Sequence, residues 1–169
     1  DEIATYAFTS DQWAEYLNWP SDKIVRLDHP LSSEQTVMRL SMLPTVFEAL
    51  MRNRRHFEDI HIYEIGTIYG QNIFDAPCTD ERMCIAGAVI EHGNDTPFYE
   101  ARDAALAVLE GLGYGVSLQA VADSQPGFDA ARSVSFVVGK KTIGFAAEIA
   151  EDTRKQHKCK DRAAFFHIE

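Results

Sequence analysis

Two strand-like runs, residues 133–138 and 142–149, face each other across Gly139-Lys140-Lys141. So short a connection makes them a hairpin and commits this part of the chain to antiparallel pairing. Other strand-like runs lie at 2–8, 24–27, 60–69, 83–90, 116–121 and 163–168. They are joined by hairpins or by helical stretches, without the regular alternation that builds a parallel Rossmann sheet. The expected class is therefore α+β, an antiparallel sheet with helices packed on it.

The helical stretches are set by caps and by apolar spacing. Ser10 offers an N-cap for a short helix through Trp13 and Leu17 that stops near Pro20. From Met42 onward, Leu43, Val46, Phe47, Leu50 and Met51 recur at intervals of three and four. Ser41 is the expected cap there, and Pro44 falls in the first turn, where its missing N–H costs little. Thr96-Pro97 opens a third helix whose stripe runs Phe98, Ala101, Ala105, Val108, Leu109 and Leu112, with Gly113 as its stop. A last short helix is expected over 151–157.

With 16 Lys plus Arg against 26 Asp plus Glu, the net charge is −10. A domain that grips nucleic acid by neutralising phosphates usually has the opposite balance. No run of eighteen apolar residues appears, so no membrane-spanning helix is expected. The three cysteines, Cys78, Cys84 and Cys159, are odd in number and irregularly spaced, which fits reduced thiols in a cytoplasmic protein. Cys78 and Cys84 are too far apart for a CxxC knuckle and no HxxxH pair occurs, so no metal site is expected. The chain starts at Asp1 in strand-like sequence without an initiator Met, which suggests a piece of something longer.

Several polar features invite a functional reading. Ser32, Ser33 and Glu34 follow a proline and fit a turn with a capped helical turn, or else a polar pocket; no histidine stands at a spacing diagnostic of a nucleophilic triad. Gly66 and Gly70 inside a strand mark a bulge or close packing more often than a phosphate loop, and neither GxGxxG nor GxxxxGK[ST] is present. His61 shares a strand face with Tyr63, as surface histidines do. The cluster Arg52, Arg54, Arg55 and His56 has three readings: a solvated helix end, an interface with an acidic partner, or an RNA backbone contact. Gln125-Pro126-Gly127 fits a type II turn.

The segment from His29 to Pro44, HPLSSEQTVMRLSMLP, closely resembles the NPLSSEQSVMRTSLLP run of bacterial phenylalanyl-tRNA synthetase β subunits. The likeness continues through the helix from Phe47 to Arg55. It extends into Ile62-Tyr63-Glu64-Ile65-Gly66-Thr67-Ile68-Tyr69, which is similar to that family's LFEIGRVF strand. Upstream, residues 2–8 are similar to EVITYSF; downstream, Pro126-Gly127 and residues 139–145 follow HPGRSA and GKRIGF. The resemblance runs in order along essentially the whole chain. It departs at His29, where the family has Asn, at Gln125, where it has His before Pro-Gly, and at residues 128–131, which do not keep the RSA spacing.

The resemblance implies a class II aminoacyl-tRNA synthetase-like core, an antiparallel sheet flanked by helices, that forms one domain over 1–169 of a longer β subunit. It implies a catalytic-like but inactive domain that supports the assembly of phenylalanine-tRNA ligase, a heterotetramer in which the α subunit carries catalysis. The expected partners are the α subunit and the other β domains, with tRNA reached through the parent complex. ATP and magnesium belong to that complex, and no cofactor is expected for this domain. Residues expected to shape the fold or an interface are Pro30, Ser32, Ser33, Glu34, Arg39, Pro44, Arg52, Arg54, Glu64 and Gly66. None is expected to be catalytic. The strand that should present an arginine to the ATP α-phosphate carries Gly70 at that register, and the Gly-rich third motif with its arginine has no counterpart before Glu169. Two other readings compete: a free-standing paralogue acting as a binding or sensor module, and an active adenylating enzyme.

Overall fold

The computed structural model describes residues 1–71, 79–93, 95–120 and 126–169. Its centre is a six-stranded, wholly antiparallel sheet in the order β3-β4-β8-β7-β6-β5. These strands are β3 (Ile60–Gln71), β4 (Thr79–Ile90), β5 (Ser117–Ala120), β6 (Phe128–Val138), β7 (Lys141–Ile149) and β8 (Ala163–Ile168). The α+β architecture expected from the sequence, an antiparallel sheet with helices packed on it, is the one observed.

β8 lies in the middle of the sheet, and its composition explains why. AAFFHI is buried at every position. Ala163 and Phe165 join the core on one face of the sheet, and Ala164, Phe166 and Ile168 join the core on the other. A strand covered on both faces reads as a continuous apolar run instead of an alternating one. The β6–β7 hairpin turns at Gly139, whose φ of +64° opens the two-residue connection between Val138 and Lys141.

The first face is covered by α2 (Leu43–Asn53), which sends Leu43, Val46, Phe47 and Leu50 into the core. Met42, just before the helix, has helical backbone angles and makes no side-chain cap; the cap comes from Ser41, as expected, whose Oγ accepts the Leu43 N–H at 3.2 Å. The second face is covered by α3 (Pro97–Gly111), through Ala101, Ala105 and Leu109. Leu112, expected at the end of that stripe, is exposed: α3 ends at Gly111 and Leu112 is its C-cap, with Gly113 at φ +82° turning the chain after it.

The N-terminal third departs most from the expected elements. Residues 2–8 do not form one strand. Glu2 bridges to Tyr63, and only β1 (Phe8–Thr9) pairs, with β2 (Val37–Met38), in a small separate sheet. Residues 24–27 contribute a single bridge, Arg26 to Val37. Both runs have strand-like patterns, but each meets partner backbone over only one or two residues. The helix capped by Ser10 forms as α1 (Asp11–Tyr16), with Ser10 accepting the Trp13 N–H, and the last helix is α4 (Glu151–Gln156). The loop around Pro77, Cys78, Val121 and Gln125 lie outside the described residues; Gly127, at φ +88°, has the positive φ that a type II turn requires.

Candidate functional site

On the α2 side of β3, Ile60, Ile62, Glu64, Ile68 and Gly70 are buried in alternation. An unaccompanied carboxylate there would be costly. Arg39 supplies the partner, entering from the segment that follows β2. Its Nη1 donates to Glu64 Oε1 at 2.9 Å, to Thr5 Oγ1 at 2.9 Å and to Thr45 Oγ1 at 3.2 Å, while Nε donates to Thr67 O at 2.9 Å. The Thr5 hydroxyl donates to Glu64 Oε2 at 2.6 Å. Both side chains of the pair are only 4% exposed. The network is closed: cation and anion satisfy each other and leave little for a ligand.

Gly66 belongs to the same arrangement. A Cβ on it would run into Arg39 Nη2 and approach Glu64 Oε1 and Met42 Cε at 3.2 Å. Close packing is therefore its role, and the β3–β4 register runs without a bulge from Ile60 to Gln71. Gly70 sits farther along the same buried face. A Cβ there would meet Leu40 Cδ1 at 3.3 Å and Asp80 Cβ at 3.9 Å. The space beside it is occupied by side chains, and β3 contains no lysine or arginine.

The other expected residues fall elsewhere. Pro30, Ser32, Ser33 and Glu34 sit on an exposed loop, closed by a turn in which Gln35 N–H donates to Ser32 O at 3.2 Å. No helical turn forms there. Pro44 is buried in the first turn of α2. The arginine cluster splits. Arg54 donates through Nε to Asp161 Oδ2 at 2.9 Å and through Nη1 to Phe57 O at 2.9 Å, tying the end of α2 to the approach to β8. Burial acts to raise the Asp161 carboxyl, but the hydrogen bond and charge of Arg54, assisted by His92, outweigh it and hold the carboxyl below its ordinary value. Arg52 and Arg55 are exposed. His61 is also exposed and meets Glu91 Oε1 at 2.7 Å.

One constellation escaped the sequence reading. Cys84 on β4, His167 on β8 and Glu169 just beyond it each bring a ligand atom within 4.8 Å of the others. Strand pairing assembles them, since Ile85 lies opposite Ile168 and Ala86 opposite His167. No local spacing advertises such a group. On the α3 side of the sheet, Tyr63, Ile65 and Met83 are exposed, with Leu112 and Tyr114 also exposed after α3. They border two apolar depressions lined by Val108, Phe166, Ile143 and neighbouring residues.

Residues 1–169 match the family described as the phenylalanyl tRNA synthetase beta chain CLM domain. The chain is 26% identical to the phenylalanine--tRNA ligase beta subunit of Shouchella clausii over 165 residues, covering 91% of this chain and 20% of that protein. It is 27% identical to the corresponding subunit of Geobacillus kaustophilus over 179 residues, covering 97% of this chain and 22% of that one. It thus spans about a fifth of the length of these relatives. Among solved structures it superimposes on Desulfitobacterium hafniense PylSc, a pyrrolysyl tRNA synthetase, with a TM-score of 0.76 at 16% identity, over 99% of this chain and 59% of that one. At that identity the likeness speaks for the fold alone.

Proposed function

Because this chain belongs to the family of the phenylalanyl-tRNA synthetase β chain CLM domain, we propose that it is one domain, residues 1–169, of a longer β subunit and serves assembly without performing chemistry. β3 carries this reading through its two faces. On the α2 side, the strand that would present a cation to a nucleotide has Gly70 beneath Leu40, and the nearby Arg39 is spent on Glu64. Adenylation needs fixed positive charge where negative charge develops, and neither residue offers it.

On the α3 side, Tyr63 and Ile65 of β3 and Met83 of β4 expose apolar surface of the kind that marks protein contacts. The occupant that fits the family is the α subunit of phenylalanine-tRNA ligase, with other β domains flanking it. ATP, magnesium and tRNA are then handled by the parent complex in the cytoplasm. Arg52 and Arg55, exposed at the end of α2, are where this domain would meet tRNA or an acidic neighbour.

Phenylalanine-dependent exchange of pyrophosphate into ATP tests the first half: this chain alone is expected to show none, and robust exchange would overturn it. For the second half, a β subunit carrying Ile65→Asp and Met83→Asp is expected to fold but to lose co-purification with α. Undiminished co-purification would remove this face from the αβ interface.

A further inference from the structure

We propose that Cys84, His167 and Glu169 form a binding site for a single zinc ion, with a fourth position left open to water. The three groups come from neighbouring strands at the end of the β4–β8 ladder, and their ligand atoms already lie within 4.8 Å of one another. Zinc in such a site takes sulfur at about 2.3 Å and nitrogen or oxygen at about 2.0–2.2 Å, so a contraction of roughly an ångström completes it. Thiolate, imidazole and carboxylate together suit this borderline-soft cation better than magnesium or calcium, which take oxygen ligands.

His167 supplies an independent reason. Its side chain is 95% buried, and its Nε2 is sealed from solvent without a hydrogen-bond partner. A buried nitrogen left unpaired is costly, and natural structures seldom leave one without a purpose. Burial, seconded by Arg82, holds the imidazole down to about 4, so it stands neutral with its lone pair available. Cys84 is also buried, and its thiol is pushed up to about 12 by desolvation and by Glu169. A metal reverses that balance, because a coordinated thiol gives up its proton.

The surrounding charges are compatible with a dication. Thiolate and Glu169 together neutralise it. Arg82, the nearest cation, is shared between Glu169 and Asp80. That engagement uses Glu169 Oε2 and leaves Oε1 for the metal. Arg39, the next cation toward Cys84, is committed to Glu64. Glu169 is partly exposed and provides the route of entry.

Cobalt(II) is a direct probe, since a cobalt–thiolate bond gives a near-ultraviolet charge-transfer band. This chain is expected to take up one equivalent of cobalt with that band, and zinc is expected to displace it. Cys84→Ala should abolish the band and weaken zinc binding in calorimetry by more than the roughly 100-fold that loss of an outer-shell partner reaches. Cys159→Ala should leave both unchanged. Glu169→Gln, at a partly exposed position where folding is not at risk, should weaken zinc at least tenfold (an order-of-magnitude expectation from the same ligand energetics). No thiolate band, a band that survives Cys84→Ala, or zinc affinity indifferent to Glu169→Gln would each overturn the site.

Discussion

Arg39 and Glu64 meet in the core through a 2.9 Å hydrogen bond, each nearly closed off from solvent. The pair lies between the α2 helix and the sheet, where Thr5 and Thr45 complete its hydrogen bonding. Within the family-like segment, Arg39 and Glu64 are therefore each other's partners in the core.

Breaking the pair leaves one charge buried without its partner, which typically costs about 3–5 kcal/mol. Arg39→Ala and Glu64→Ala are each expected to lower the urea midpoint of unfolding accordingly. The double variant Arg39→Ala, Glu64→Ala should cost clearly less than the sum of the two single changes, because the groups act as a unit. Additive losses would mean that the two residues stabilise the fold separately.

Gly66→Ala probes the same network by volume instead of charge. The added methyl has to displace the Arg39 guanidinium, which is held by four hydrogen bonds. An expected cost of about 1–3 kcal/mol follows from overpacking. In an Arg39→Met background that cost should shrink, as chemical denaturation of the four corners of the cycle will show.

The arginines at the end of α2 are expected to separate by stability. Arg54→Ala loses the link to Asp161 and is expected to cost about 1.5–3 kcal/mol, at the scale of a hydrogen bond to a charged group. Arg52→Ala and Arg55→Ala, at exposed positions, should stay within about 0.5 kcal/mol of the parent chain. Thermal unfolding of the three variants distinguishes them, and any tRNA-linked phenotype of Arg52 or Arg55 then reports a contact instead of a folding defect.

His157 gives the stability a pH dependence. Its ring stacks on Trp13 at 5.9 Å and meets Phe47 edge-on at 4.7 Å. The partial burial lowers its proton affinity, outweighing the opposite pull of Glu48. Because the folded-state value is depressed, the stabilisation is complete above the ordinary imidazole value of about 6.5 and is lost as pH falls through the folded-state value. The effect is small, since much of the residue faces solvent. On going from about pH 7.5 to about pH 5.5, which brackets that ordinary value, the parent chain should lose more thermal stability than His157→Phe. His167, held down to about 4 by burial, contributes equally in both proteins and cancels in the comparison.

Much of the fold was legible because it rests on local rules. The stripe from Leu43 to Leu50, the Pro and Gly flanking α3, the turn at Gly139 and the apolar run of β8 each carry their structural reason within a few residues. The strand-like runs at 2–8 and 24–27 were misread for the complementary reason. A strand is defined by the backbone beside it, and those runs meet only single bridges or the two residues of β2.

The candidate sites divide the same way. By itself, the sequence determined the kinship of the chain, the expected α+β class and the absence of a cation along β3. Only the tertiary structure decided what Arg39 does, because its partner Glu64 is 25 residues away and Thr5 is 34 away. It alone placed Leu40 over Gly70, and it alone brought Cys84, His167 and Glu169 together across the β4–β8 ladder. Periodicity and caps act within one or two turns of chain. Buried charge and ligand geometry depend on which strands lie side by side, and that is fixed only when both faces of the sheet have been covered.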